Sequence, residues 1–147
     1  MYVLKKRLKD ANIAHFLGKE FPRACKFPHG HSYHFEIEVG ATKLDQYDMI
    51  IDFSIIKEVC DNFIQDNWDH ATVFSSFQTE QQEYWKSNGW RFAVFPIENR
   101  NTTAESMSEF LATKFAKELV AINDSIKYVT MRVWETDTSC AEFRVDL

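Results

Sequence analysis

His29-Gly30-His31-Ser32-Tyr33-His34-Phe35-Glu36-Ile37-Glu38-Val39-Gly40 is the stretch on which the fold turns. Tyr33, Phe35, Ile37 and Val39 fall on one face of it, and His34, Glu36 and Glu38 on the other. Successive side chains of a strand point to opposite sides, so this is a half-buried strand with a core face and a solvent face. Residues two apart share a face, so His29 and His31 project together, on the side of the apolar row.

Working outward, residues 2–12 read as an opening strand, rich in β-compatible residues but only loosely alternating. A loop with Gly18, Pro22 and Pro28 follows. Downstream, residues 54–66 show helical spacing at Ile55, Ile56, Val59 and Phe63, with Asp52 or Ser54 available as a cap. A second helix starts at Thr102-Thr103-Ala104-Glu105, a capping-box sequence in which a hydroxyl and a carboxylate satisfy each other's orphan amides. Its apolar stripe, Phe110, Leu111, Phe115 and Leu119, runs to about residue 122. Strands over about 126–135 and 140–146 finish the chain. Residues 71–101 carry many aromatics, with a helical period around 78–87 and a short strand near 90–95. That segment is either an aromatic lid or an ordinary packed excursion. Runs of strands separated by helices, rather than strict alternation, give an α+β domain with an antiparallel sheet.

The bulk properties bound the function. A chain of 147 residues is about one domain, here 1–147. Its 13 Phe, 5 Tyr and 4 Trp supply a core, while 4 Gly and 3 Pro leave little for linkers, which excludes a disordered chain. A net charge of −5 argues against non-specific binding to nucleic acid or an anionic membrane. No stretch approaches the roughly 20 apolar residues of a membrane span, and the N-terminus lacks a signal peptide's apolar core. Three cysteines, at 25, 60 and 140, make no disulfide framework, so a reducing, cytoplasmic setting is expected.

The histidines carry the chemistry. Two neutral imidazoles side by side, His29 and His31, would bind zinc, and His15, after the first strand, is the candidate third ligand, since a neighbouring antiparallel strand would bring it alongside. Alternatively, His29 and His31 are exposed residues of a turn. Cys25 lies near Arg23 and Lys26, where a thiol loses its proton more readily. It is either a fourth ligand closing a structural site or a general base beside an open one. Cys60 reads as a buried free thiol, and Cys140 as the same. Asp69-His70 passes protons if it faces the metal and is otherwise structural. By period two, Glu135 shares the apolar face of Val129, Met131 and Val133. A carboxylate there needs a partner, unless the strand has frayed.

Taken together, these residues resemble the 6-pyruvoyl-tetrahydropterin synthase family. The matches are Ala14-His15; Cys25-Lys26-Phe27-Pro28-His29-Gly30-His31-Ser32-Tyr33; Met49-Ile50-Ile51-Asp52-Phe53-Ser54; Asp69-His70; Thr102-Thr103-Ala104-Glu105; and Trp134-Glu135-Thr136. The first departs from the family's Phe-Ser-Ala-Ala-His, since Ala11-Asn12-Ile13-Ala14-His15 stands here. The resemblance implies a T-fold, a four-stranded antiparallel sheet with two helices on one face, assembled into a homohexamer with active sites between subunits. It implies zinc on His15, His29 and His31, and 7,8-dihydroneopterin triphosphate as substrate. Glu135 would anchor the pterin with help from the backbone of Thr103, and Cys25, Asp69 and His70 would move protons. The Cys-x-x-x-His-Gly-His spacing resembles the 6-carboxy-tetrahydropterin branch, which feeds queuosine synthesis. Glu135-Thr136-Asp137 also suits the pyruvoyl branch.

Overall fold

The computed structural model describes residues 1–147. Its strands are β1 (Tyr2–Arg7), β2 (Ala11–His15), β3 (His29–Ala41), β4 (Ala71–Phe74), β5 (Phe92–Val94), β6 (Ile126–Thr136) and β7 (Ser139–Asp146). Helix α1 covers residues 53–67, with a π-helical turn, Lys57–Asp61, between α-helical ends Phe53–Ile56 and Asn62–Asn67. Helices α2 (Thr79–Ser87) and α3 (Ala104–Ile122) follow.

The alternating segment is β3, the hub of the sheet. Tyr33, Phe35, Ile37 and Val39 are all fully buried, as the alternation requires. Along one edge β3 pairs antiparallel with two strands in turn, β1 beside its C-terminal half and β2 beside its N-terminal half. The expected single strand 2–12 is therefore two strands, and the register explains the break. Arg7 faces Glu36 and Ala11 faces Tyr33, so four steps on one side (7 to 11) match three on the other (33 to 36). One extra residue is a bulge, and it reverses which side chains point inward. Leu4 and Leu8 turn to the core before it; Ala11, Ile13 and His15 do so after it. That reversal is the loose alternation seen in the sequence. The amide freed at Lys9 donates to the buried carboxylate of Asp61 at 2.7 Å.

The order β1-β3-β6-β7 is the expected four-stranded antiparallel sheet. The whole sheet is larger, because β2, β4 and β5 extend it to seven strands with parallel β2–β4 and β4–β5 pairings. Helices α1 and α3 meet the inner face in one core that holds Ile56, Cys60 and Ile64 of α1 with Leu111, Phe115 and Leu119 of α3. Asp52 caps α1, its carboxylate accepting the Ser54 amide at 2.6 Å. At α3 the cap is Thr103, whose hydroxyl accepts from the Ser106 amide at 3.2 Å. The expected box shifts by one residue: Ser106 takes the third helical place, so Glu105 does not close it.

Residues 71–101 supply β4, α2 and β5. Phe95 packs on Trp68 and Phe110, and Phe74 on Trp85 and Phe92. Phe74 and Phe95 are at most 1% exposed. Burying a side chain of that size contributes roughly 1.5–3 kcal/mol, so the two ends of the segment are packed into the fold, while α2 buries none of its residues and Tyr84 and Trp90 lie on the surface.

Candidate metal centre

The β2–β3 ladder places His15 directly opposite His29, and His31 comes two residues further on the same face. The ring centroids lie 4.7 Å (His15–His29), 5.3 Å (His15–His31) and 4.9 Å (His29–His31) apart. One ring nitrogen from each falls within 4.8 Å of the others. Backbone carbonyls set the tautomers. Thr102 O lies 2.6 Å from Nδ1 of His15, and Phe27 O lies 2.7 Å from Nδ1 of His29. A carbonyl can only accept, so both Nδ1 atoms carry protons and both Nε2 lone pairs are free. Metal-binding histidines are held in this way.

Nε2 of His29 and of His31 is buried without a hydrogen-bond partner. Each such atom costs about 1–3 kcal/mol. Two of them aimed into a three-histidine cluster fit a metal ion and little else. Burial lowers the pKa of His15, against the Thr102 bond, and burial lowers that of His31, against Glu135. Neutral imidazole is the form that ligates. Cys25 is not a member of the group. It is exposed on a single 3₁₀ turn, Ala24–Lys26, whose fold is tied by the Leu17 amide donating to the Cys25 carbonyl at 2.9 Å. Three protein ligands leave the fourth position open, the pattern of catalytic sites.

Glu135 has not frayed away. Its Oε1 lies 3.5 Å from Nε2 of His31 and its Oε2 4.0 Å from Nε2 of His15. Tyr33 completes the wall, with its hydroxyl 3.3 Å from Nε2 of His15 and 3.5 Å from Oε2 of Glu135. Burial first, then the Glu135 charge, pushes its phenol far above the usual range, so it stays a donor. Sequence reasoning passed over Tyr33, although period two puts it next after His29 and His31. Thr102 stands in the sequence as the start of a capping box, and nothing there ties its carbonyl to His15, 87 positions away.

The pair Asp69-His70 lies elsewhere. His70 Nδ1 is 2.8 Å from one Asp69 oxygen, and the other oxygen accepts the Asn12 amide at 2.8 Å. Burial opposes ionisation of Asp69, but these two bonds outweigh it and hold its carboxyl below the usual range. His70 stands in a left-handed backbone conformation, φ +56°, with its side chain 74% exposed. It shares an outer cleft with Asn12, Ser32, Thr72, Trp90 and Arg91. His31 also lines this cleft, but the ring nitrogens of the three histidines converge on the side of Tyr33 and Glu135, and no hydrogen bond or ion pair joins Asp69 or His70 to them. Cys60 is a buried thiol that burial pushes upward in pKa, as expected. Cys140 is exposed, contrary to expectation, because it pairs with Trp134 on the outer face of the sheet while Ala141, opposite the buried Val133, takes the core side.

The family model for 6-pyruvoyl tetrahydropterin synthase matches residues 4–146. The 6-carboxy-5,6,7,8-tetrahydropterin synthase of Rickettsia felis is 32% identical over 120 residues, covering 80% of this chain and 83% of that protein. The enzyme of the same name from Aquifex aeolicus is 29% identical over 147 residues, covering 97% and 89%. A catalytic-residue mutant of Plasmodium vivax 6-pyruvoyltetrahydropterin synthase superposes over the whole of both chains with a TM-score of 0.76, at 16% identity. With a family match over nearly the whole length, and a relative above 30% identity across four-fifths of it, the chain belongs to the 6-pyruvoyl tetrahydropterin synthase family of enzymes.

Proposed function

We propose that this chain is a zinc-dependent lyase that converts 7,8-dihydroneopterin triphosphate to 6-carboxy-5,6,7,8-tetrahydropterin, releasing acetaldehyde and triphosphate, in the cytoplasmic synthesis of 7-deazaguanines such as queuosine. The observation that carries the reading is the open three-histidine cluster with Glu135 against it. The names of the bacterial relatives favour the carboxy branch.

His15, His29 and His31 hold the ion, with the tautomers of His15 and His29 fixed by the Thr102 and Phe27 carbonyls. Bound there, zinc supplies Lewis-acid polarisation of the substrate's side-chain oxygens. Glu135 accepts two hydrogen bonds from the guanidine-like edge of the pterin, a charge-assisted pairing that sets the ring's orientation. The backbone of Thr103, at the N-cap of α3, assists it. Cys25, between Arg23 and Lys26 in sequence, takes a proton from the substrate side chain. The Asp69-orientated His70 delivers or removes protons at the same centre.

Because His70 faces outward, it serves the centre of a neighbouring copy. This supports a homohexamer with active sites between subunits. The strand edges of β1 and β7 are exposed and could pair between copies. A closed structural zinc site is disfavoured by the absence of Cys25 from the ligand group.

The test is product identity. Zinc-loaded protein is incubated with 7,8-dihydroneopterin triphosphate and the products are read by mass spectrometry, with Cys25→Ala as control. Carboxy-tetrahydropterin with acetaldehyde from the parent, and zinc without turnover in the variant, is the expected result. Pyruvoyl-tetrahydropterin would move the chain to the sister branch, and no turnover by a zinc-loaded oligomer would overturn the reading.

A further inference from the structure

Tyr33 is fully buried, and the chemistry above leaves its hydroxyl without a task. The hydroxyl has one proton to donate and stands between two acceptors, Nε2 of His15 at 3.3 Å and Oε2 of Glu135 at 3.5 Å. The other nitrogen of His15 is no alternative, since it gives its own proton to Thr102. Both distances exceed those of a closed hydrogen bond, so the phenol is shared between the two and committed to neither. An ion on the histidine cluster occupies the lone pair of His15 Nε2. Glu135 is then the one acceptor left within reach.

We propose that Tyr33 is a positioning residue that couples metal occupancy to pterin binding: with His15 engaged, its hydroxyl donates to Glu135 and fixes the carboxylate in the orientation that meets the pterin edge. The inference rests on the function proposed above. No proton is transferred; the phenol remains protonated and changes acceptor. Burial and the Glu135 charge, which keep the phenol from ionising, are consistent with this. Linkage makes the coupling reciprocal, so the factor by which zinc tightens pterin is the factor by which pterin tightens zinc. Without an ion the hydroxyl competes for His15, so removing it cannot weaken zinc binding.

The experiment measures the affinity of pterin itself, which lacks the side chain that would reach the ion. Zinc-free and zinc-loaded forms of the parent and of Tyr33→Phe are titrated by calorimetry, and zinc affinity is measured by chelator competition. In the parent, zinc is expected to tighten pterin binding by about fivefold or more, the lower range of allosteric couplings. In Tyr33→Phe that ratio falls toward one, while zinc binds at least as tightly as before. A merely structural lesion would weaken zinc instead, and that result overturns the proposal. An unchanged ratio in Tyr33→Phe also overturns it and leaves the proposed function standing. Failure of pterin to bind any form of the parent removes both.

Discussion

The two faces of the sheet around β2 and β3 treat histidine in opposite ways. On the inner face His15, His29 and His31 converge, burial keeps His15 and His31 toward the neutral state, and two Nε2 atoms have no partner. On the outer face His34 is held between Asp10 and Asp137, which raise its pKa, and His70 leans on Asp69 in an open cleft. The inner face gathers three ring nitrogens that could hold a metal ion, all from one chain. The outer face pairs its histidines with carboxylates, His34 with Asp10 and Asp137 and His70 with Asp69. Face is set by a single bulge residue between Arg7 and Ala11, without which His15 would point outward.

Removing an inner ligand is the most direct way to break this contrast. His29→Ala is expected to lower zinc affinity by at least about 10²-fold, since loss of a mere supporting partner already costs 10–100-fold. His70→Ala should leave zinc affinity unchanged. Chelator competition on both variants checks this, and equal losses would mean that the two faces are not chemically distinct.

Turnover falls on either side, and its use is to tell which copy His70 serves. His70→Ala should lower kcat by roughly 10²–10⁴-fold, the usual worth of a positioned acid or base. Cys25→Ala should also be inactive. Refolding the two variants together then sharpens the contrast. If His70 serves the centre of a neighbouring copy, mixed oligomers contain some sites with both groups intact and regain activity. If the groups act within one chain, the mixture stays dead.

The inner face was largely legible in the sequence, because it follows from period two and strand adjacency. His29, His31 and Glu135 lie inward by counting, and His15 needed only an antiparallel neighbour. What escaped counting depends on register or distant backbone. The bulge breaks period two within residues 2–12, so one strand was expected where two stand. The Thr102 carbonyl acts through the backbone, which has no residue-type signal. Strand β4 is four buried residues without alternation, and its parallel pairing with β2 could not be seen from either strand alone. Cys140 is exposed because register with β6 turns it to the outer face, opposite Trp134, and register is set between strands.

The bulge itself can be loosened. Asp61→Ala strands the Lys9 amide that its carboxylate now accepts. The expected cost is about 1 kcal/mol, the net worth of one hydrogen bond, because Lys9 itself is exposed. Zinc binds only the form with His15 turned inward, so adding it should restore part of the lost melting temperature. A variant with parental stability would show that the extra residue is held by other contacts.

The smallest effect tests the outer face alone. Hydrogen bonding to Asp10, then to Asp137, raises the pKa of His34, with burial and the Arg7 charge opposing. A histidine whose folded pKa is raised contributes stability that is fully present below its unfolded value. That contribution disappears as pH rises through the folded value. The unfolded value is about 6.5, so the window opens near there and extends upward. His34→Gln should therefore be less stable than the parent at about pH 6 by a few tenths to about 1 kcal/mol, the range of exposed ion pairs. The gap should close toward about pH 9, as the parent's imidazole loses its proton. Denaturant melts at the two pH values read it directly. A gap that is constant with pH would mean that His34 contributes through packing or neutral hydrogen bonds, and the outer face would then differ from the inner in position but not in charge.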